Sequence, residues 1–208
     1  MVKNKRQNDF LRNGIINTMT SKEIEEKINN IKAKHKEEGQ ALLIALYYSG
    51  ARPNEILKLK SNDIYKEGST VFINLQGSKR GLPRKIQLPY NKPLVKKLYD
   101  FAIRHPPEIL LFYHYISRTE KKYINKKGKI KIYTETTKLV YYYITKWFDS
   151  EIIPYFFRHN CFSILSEVGY TDRDIKYLKG SKTMNSVLPY THLSKARAKK
   201  LKFGFNKF

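Results

Sequence analysis

The sequence predicts an α+β fold that is mainly α-helical and contains a small antiparallel β-hairpin or sheet. Apolar residues with helical spacing occur along most of the chain. The alternation of apolar and polar residues that is typical of strands is confined to 70–75 and 84–88. Neither an internal repeat nor a linker composition is visible. We therefore expect one domain over 20–208, preceded by a flexible basic lead-in over 1–19.

The composition indicates a polyanionic partner. The chain has 208 residues, of which 41% are hydrophobic and 13% aromatic, and these suffice to bury a core. Lys and Arg number 41 against 18 Asp and Glu, which gives a formal net charge of +23. This excess favours nucleic acid as the partner, with a membrane surface second, although no basic amphipathic helix stands out. Codon bias in an AT-rich genome is the alternative source of the lysines.

Helices are predicted in both halves of the chain. A capping box starts a helix over about 21–34. A dense apolar run over 40–49 predicts a buried helix that Gly50 ends. Pro53 suits the first turn of the next helix, which places Arg52 at a helix–helix junction. Further helices are expected over 93–104, 136–150, 154–168 and 171–178.

Three connecting or terminal segments are rich in basic residues. A basic hairpin loop over 77–83 is expected to join the two strands. The insertion over about 118–131 contains seven basic residues and one acid, which predicts an exposed basic loop or ribbon. A merely solvated insertion is the alternative for this segment. The tail over 193–208 has an apolar-basic rhythm.

Cysteine and histidine usage predicts no metal site and no cofactor. The single cysteine, Cys161, lies within an apolar helical pattern, so we expect a core residue and no disulfide within the chain. His159 and His192 are interpreted as structural or DNA-facing. No metal-binding spacing with carboxylates is visible for three other histidines: His35, His105 and His114.

A set of residues in chain order suits metal-independent phosphodiester transfer. Such chemistry needs a nucleophile that holds the phosphate, cations that stabilise its developing charge, and an acid for the leaving 5′-oxygen. The planar arginine fork suits the second task, and a lysine whose pKa is lowered by neighbouring cations suits the third. The chain offers these candidates in order: Arg52, Lys79, Arg158 and Tyr190.

The segment 41–64 resembles the first conserved box of the tyrosine recombinase catalytic domain, in the phage-integrase and Xer-like family. It contains an apolar helix, then Gly-x-Arg-x-x-Glu, then a later Asp-Ile. The likeness to archaeal and archaeal-virus integrases is the most marked. It implies that Arg52 is the first catalytic arginine and that Glu55 orients it. The following hairpin is similar to the one with the family's catalytic lysine, which implies Lys79, with Arg80 as the alternative.

The second box also resembles the family, with departures. Residues 155–159 are similar to the usual His-x-x-Arg-His, so Arg158 takes the place of the second catalytic arginine and Tyr155 that of the histidine. A further histidine usually lies nine positions before the nucleophile. Ser181 is nine and Lys182 eight before Tyr190, and we favour Lys182 because a charged donor better stabilises the transition state.

The resemblance covers about 20–200 and implies a site-specific DNA recombinase or integrase. It implies a 3′-phosphotyrosine intermediate at Tyr190, double-stranded DNA as the partner, and self-assembly into a tetramer on DNA. Family members usually carry an N-terminal core-binding domain, which this chain does not include. An isolated catalytic domain and a naturally minimal integrase are both open. It is also open whether the tail over 193–208 docks on a neighbouring protomer or packs on its own chain.

The sequence also allows two alternative functions. One alternative is relaxation of DNA in the manner of a type IB topoisomerase. The other is a noncatalytic nucleic-acid-binding module on the same scaffold. No stretch approaches the roughly 20 apolar residues that span a bilayer, and the N-terminus is polar. We therefore expect a cytoplasmic, nucleoid-associated protein, encoded by a cell, a virus or a plasmid.

Overall fold

The computed structural model describes residues 19–77, 81–124, 130–148, 152–188 and 190. Three expectations therefore lie outside the described residues. They concern the lead-in up to residue 18, the hairpin tip at 78–80 with its predicted catalytic lysine, and the tail over 193–208.

The described residues confirm the predicted α+β fold with its helical majority. The helices are α1 Ser21–Asn29, α2 Lys36–Ser49, α3 Pro53–Ile56, α4 Pro93–Ile103, α5 Lys138–Trp147, α6 Pro154–Glu167 and α7 Asp172–Leu178. The strands are β1 Ile64–Glu67, β2 Thr70–Leu75, β3 Arg84–Pro89, β4 Glu120–Ile124 and β5 Ile130–Thr134. Short 3₁₀ turns occur at Ser61–Asp63, Tyr113–Tyr115 and Met184–Ser186.

The main sheet has three antiparallel strands in the order β1-β2-β3, one more than the sequence predicted. Ile73 lies opposite Ile64 on one side and Ile86 on the other. Every second residue of β2 and β3 is buried, so one sheet face covers the core. Strand β1 was not predicted from the sequence. Only Ile64 of its four residues is buried, so the alternation of apolar and polar residues is too short to recognise.

Helix α2 forms the centre of the core. Its apolar stretch from Ala41 to Leu46 is fully buried, because α4 and α6 both pack on it. The helix begins at Lys36, four residues before the predicted start at 40. Polar residues fill this first turn, and Glu38 is buried although it is an acid. Hydrophobic pattern alone therefore placed the start too late. Cys161 is buried, as predicted.

A sharp junction after α2 places the first site residue. Gly50 ends the helix with φ at 55°, in the left-handed region that favours glycine. Ala51 donates its amide to Ser49 Oγ, 3.1 Å away. Arg52 is then the N-cap residue of α3, and Pro53 opens that helix as predicted. The side chain of Arg52 is consequently presented from a rigid turn.

Strands β4 and β5 form a separate antiparallel ribbon within the basic insertion. Their register pairs Glu120 with Thr134. At the base of the ribbon, the Ser117 amide donates to Thr136 O over 2.9 Å. Of the loop and the ribbon that the sequence allowed, the structure contains the ribbon.

Among the described helices, none is both long enough and apolar enough to span a bilayer.

The junction at Gly50 predicts a local loss of stability on substitution. Gly50 and Gly68 both have positive φ, at 55° and 54°, but a Cβ at Gly50 meets Phe162 Cζ at 2.9 Å, whereas one at Gly68 meets nothing within 4 Å. Gly68→Ala should lower the free energy of unfolding by about 1 kcal/mol through backbone strain. Gly50→Ala should lower it by about 1–3 kcal/mol more through the clash.

Urea denaturation of both variants and the parent measures this difference. Equal losses for the two variants would show that the contact with Phe162 does not constrain the turn.

Candidate active site

A buried carboxylate organises the described part of the site. Glu55 is 1% exposed. It accepts hydrogen bonds from the Arg52 amide at 2.8 Å and from Arg52 Nη1 at 3.1 Å. It also accepts one from Arg84 Nη2 at 3.0 Å. Burial alone would raise the Glu55 pKa, but the bonds and charges of the two arginines outweigh burial and lower it. The carboxylate therefore stays ionised at neutral pH.

Arg84 extends this network across the fold. It is the first residue of β3, and its side chain is fully buried. Its Nε donates to Leu178 O at the end of α7, 2.6 Å away. It thereby joins the sheet and α7 to Glu55. From the sequence, Arg84 was predicted only as a strand residue. The alternation of buried and exposed residues along β3 places Arg84 on the inward face, and this position was the one sign in the sequence that its side chain is buried.

Arg158 lies in the middle of the site as a buried, unneutralised cation. It is 3% exposed, and its donors reach two backbone carbonyls, Gly50 O at 2.5 Å and Lys179 O at 2.8 Å. Within the described residues no carboxylate pairs with it. Burial, followed by the charges of Arg52 and Arg84, lowers the pKa of Arg158 to about 10. It therefore remains charged at neutral pH and suits an anionic ligand.

Tyr190 is fully buried beside this cation. Its hydroxyl lies 2.7 Å from His159 Nδ1. Its ring makes an edge contact with Phe162, and its carbonyl accepts a bond from Ser166 Oγ at 3.0 Å. Burial raises the pKa of the phenol, although the nearby charge of Arg158 opposes this. The hydroxyl is thus protonated at neutral pH, with an imidazole nitrogen within hydrogen-bonding distance.

His159 and Lys179 are members of the site that sequence reasoning did not assign to it. Burial, together with the charges of Lys179 and Arg158, lowers the pKa of His159 to about 4. Burial, with Arg158 and Arg52, lowers the pKa of Lys179 to about 7. Lys179 Nζ donates to Ser186 O and lies 4.9 Å from the centre of the Tyr190 ring. Nothing in the spacing of Lys179 indicated this contact.

The other predicted site residues occupy different positions. Tyr155 is half-buried in the first turn of α6. Ser181 is buried and accepts a bond from Ser186 Oγ at 2.6 Å, whereas Lys182 is exposed. The choice between Ser181 and Lys182 stays a prediction.

The hairpin that carries the predicted catalytic lysine is attached to this site. The Leu82 amide donates to Gly180 O, 3.0 Å away. Gly180 has φ at 61°, and an added Cβ would meet Arg84 Nη1 at 2.6 Å. The side chains of Lys79 and Arg80 are outside the described residues, but the loop beyond them reaches the turn before Tyr190.

The fold and the site together define a class. Arg158 and Lys179 lie beside the buried Tyr190. Arg52 and Arg84 act electrostatically on Arg158, and among the described residues Glu55 is the one carboxylate paired with this group. The three arginines outweigh the single carboxylate at neutral pH, and this excess of positive charge can bind and stabilise a phosphate. Two arginines from separate helices and a tyrosine on this α+β fold are the arrangement of a tyrosine recombinase catalytic domain.

Comparison with known proteins identifies the family. The model of the phage integrase family matches residues 17–197, and the chain belongs to this family. Tyrosine recombinase XerA of Pyrococcus furiosus is 25% identical over 177 residues, which are 85% of this chain and 57% of that protein. The chain thus spans little more than half the length of this relative.

Solved structures with the same fold support the assignment. The crystal structure of XerA recombinase has a TM-score of 0.62 at 16% identity, covering 92% of this chain and 65% of that one. The XerH site-specific recombinase bound to difH substrate has a TM-score of 0.61 at 19% identity, with 87% and 51% covered. The Tn1549 transposon integrase in complex with transposon right end DNA gives 0.55 at 16%, with 89% and 66% covered. The predicted family and fold are confirmed.

The network around Glu55 predicts a large effect of one isosteric change. Glu55→Gln leaves Arg84 buried without its counter-ion, so the free energy of unfolding should fall by about 3–5 kcal/mol. Glu108→Gln breaks an exposed pair with Lys60 and should leave the free energy of unfolding nearly unchanged. Urea denaturation at neutral pH compares the two. Similar small losses would show that Glu55 does not hold the arginines in place.

The lowered pKa of Lys179 predicts a dependence of stability on alkaline pH. The folded chain releases this proton near pH 7, with a pKa of about 7, whereas an unfolded lysine keeps it until about 10.4. The unfolded state therefore binds more protons between these values, and stability gains from this residue as pH rises through the interval. Lys179→Met should remove that gain.

The measurement compares denaturant unfolding at about pH 7.5 and 9.5, both inside this interval. Lys182→Met, at an exposed neighbour, should leave the parent's pH dependence unchanged. An unchanged dependence in Lys179→Met would contradict the assignment of a buried, titrating lysine.

Proposed function

We propose that this chain is the catalytic part of a site-specific DNA recombinase or integrase that cleaves and rejoins DNA through a 3′-phosphotyrosine intermediate. One observation carries the proposal. The hydroxyl of a buried tyrosine lies 2.7 Å from a histidine nitrogen and beside a buried arginine that has no counter-ion among the described residues. A merely structural tyrosine does not need a buried arginine without an ion-pair partner beside it, because burying such a charge is unfavourable.

The proposed cleavage step uses Tyr190 as the nucleophile. Its Oη forms a bond to phosphorus while the bond between phosphorus and the 5′-oxygen breaks. The phenol proton passes to His159 Nδ1, which is free to accept it because the lowered pKa keeps the imidazole neutral. Lys79 supplies the proton of the departing 5′-hydroxyl, as the resemblance implies. A 5′-hydroxyl from a partner strand reverses the step and restores the phenol.

The cations stabilise the negative charge that develops on the non-bridging oxygens. Arg158 and Arg52 lie on separate helices and provide donors from different directions. Tyr155 and Lys182 are proposed as further donors at the edge of the site. The phosphate bond energy is retained in the tyrosine ester, so the reaction is proposed to need neither a metal nor a nucleotide.

Double-stranded DNA is the proposed partner. The net charge of +23 favours a polyanion, and the structural relatives XerH and the Tn1549 integrase are described as bound to DNA. Exchange between two duplexes needs four tyrosines, so we propose assembly of four protomers on DNA. A location at the nucleoid and a viral or plasmid origin belong to the same proposal.

A covalent adduct assay tests the nucleophile. A library of duplexes with randomised sequence, each nicked close to the randomised bases, traps the enzyme because the short released strand diffuses away. The parent chain should form an adduct that survives a denaturing gel and maps to Tyr190. Tyr190→Phe should form none, whereas Tyr177→Phe, at an exposed tyrosine, should match the parent.

Other outcomes would overturn the proposal. An adduct that persists in Tyr190→Phe would remove the nucleophile. Equal, salt-sensitive binding by the parent and Tyr190→Phe, with no cleavage by either, would indicate a noncatalytic nucleic-acid-binding module. Relaxation of supercoiled plasmid without dependence on any site would indicate topoisomerase activity instead of recombination.

A further inference from the structure

A second cluster of ionisable side chains lies outside the site already described. It consists of His35 and Glu38 at the start of α2, and of His114 in the turn Tyr113–Tyr115. One potential ligand atom from each of the three lies within 4.8 Å of the other two. The sequence spacing gave no indication of it, since Glu38 and His114 are 76 residues apart.

Glu38 is an acid with an unusual environment for this chain. It is 8% exposed in a protein with 41 Lys and Arg residues, yet no described Lys or Arg pairs with it. Its two oxygens accept instead from the His114 amide at 2.9 Å and contact His114 Nδ1 at 2.6 Å. A buried carboxylate of this kind is stabilised by a nearby cation.

The two histidines are positioned side by side by the backbone. Their rings stack with centroids 3.7 Å apart and an angle of 14° between the planes. The carbonyl of His35 accepts a bond from the Tyr115 hydroxyl at 3.1 Å, and the His114 amide is bound to Glu38. Both backbones are thus held by hydrogen bonds, while the side chain of His114 is 49% exposed and is held by its contacts with Glu38 and His35.

We propose that His35, Glu38 and His114 form a binding site for a divalent transition metal of the Zn²⁺ type. Two imidazole nitrogens and one carboxylate oxygen are a donor set that Zn²⁺ accepts, with solvent in the remaining position. Binding requires the stacked rings to open so that both nitrogens aim at one point about 2.0–2.1 Å away. The exposed His114 ring makes this movement with little disturbance of the core.

The position of the site suggests what the metal does. It joins the first turn of α2, the central core helix, to the turn that precedes the base of the β4–β5 ribbon at Ser117. A metal there fixes the ribbon relative to the core through two elements that are distant in sequence. This role does not depend on the recombinase chemistry, because none of the three residues belongs to the candidate active site.

Metal titration of the untagged full chain, freed of metal by a chelator, tests the proposal. Calorimetry should show that one Zn²⁺ binds per chain. Bound Co²⁺ should give the visible absorption bands of a metal ion with a low coordination number. At roughly a hundredfold excess of Zn²⁺ over its dissociation constant, Tm should rise by about 5–10 °C.

Variants assign the binding to the three residues. His114→Ala changes a half-exposed side chain and should weaken Zn²⁺ binding by more than about tenfold, as should His35→Ala and Glu38→Gln. His105→Ala is the matched control, since this histidine contacts Phe101 O at 2.9 Å and lies outside the cluster. It should bind Zn²⁺ like the parent.

Three results would overturn the proposal. They are the absence of saturable binding by the parent, undiminished binding in His114→Ala, and loss of binding in His105→Ala. Because the readouts are heat, absorption and Tm, the proposal can fail while the DNA adduct forms, and it can succeed while no adduct forms.

Discussion

The ion pairs of one buried carboxylate are the constraint on which the active site depends. Glu55 binds Arg52 at the end of the α2 junction and Arg84 at the start of β3, 29 residues further along the chain. Arg84 in turn donates a hydrogen bond to Leu178 O, at the end of α7. Glu55 thereby links the helix junction, the sheet and the end of α7. Arg158, which donates to Gly50 O and Lys179 O, and the bond from the Leu82 amide to Gly180 O join the same elements a second time.

The same network leaves the site with more positive than negative charge. Arg158 is satisfied as a hydrogen-bond donor only by carbonyls, so its charge remains available. The lowered pKa values of Arg158 and Lys179 arise largely because burial and neighbouring cations disfavour a further charge. Such preorganised charge lowers the stability of the free protein and strengthens an interaction with phosphate, since the arginines are held in place before the anion arrives.

The residues that the sequence could predict are those embedded in local structure. Arg52 follows a glycine and precedes a helix-starting proline, so its neighbours in sequence determine its position. The roles of Arg84, His159 and Lys179 depend on partners that only the tertiary fold brings close, and no spacing along the chain encodes those contacts. Strand β1 was missed for a related reason. Its single buried residue becomes meaningful only when β2 lies beside it.

The complete burial of Tyr190 bears on which contacts with DNA could lead to strand cleavage. If the chain acts on DNA as we propose, its positive charge also favours contact with arbitrary DNA, where a permanently accessible nucleophile would leave nicks. Here the hydroxyl faces a histidine inside the protein, away from a phosphate at the surface. The proposed cleavage therefore requires that Tyr190 first become accessible to the scissile phosphate, and an encounter with DNA that does not expose it would leave the duplex intact.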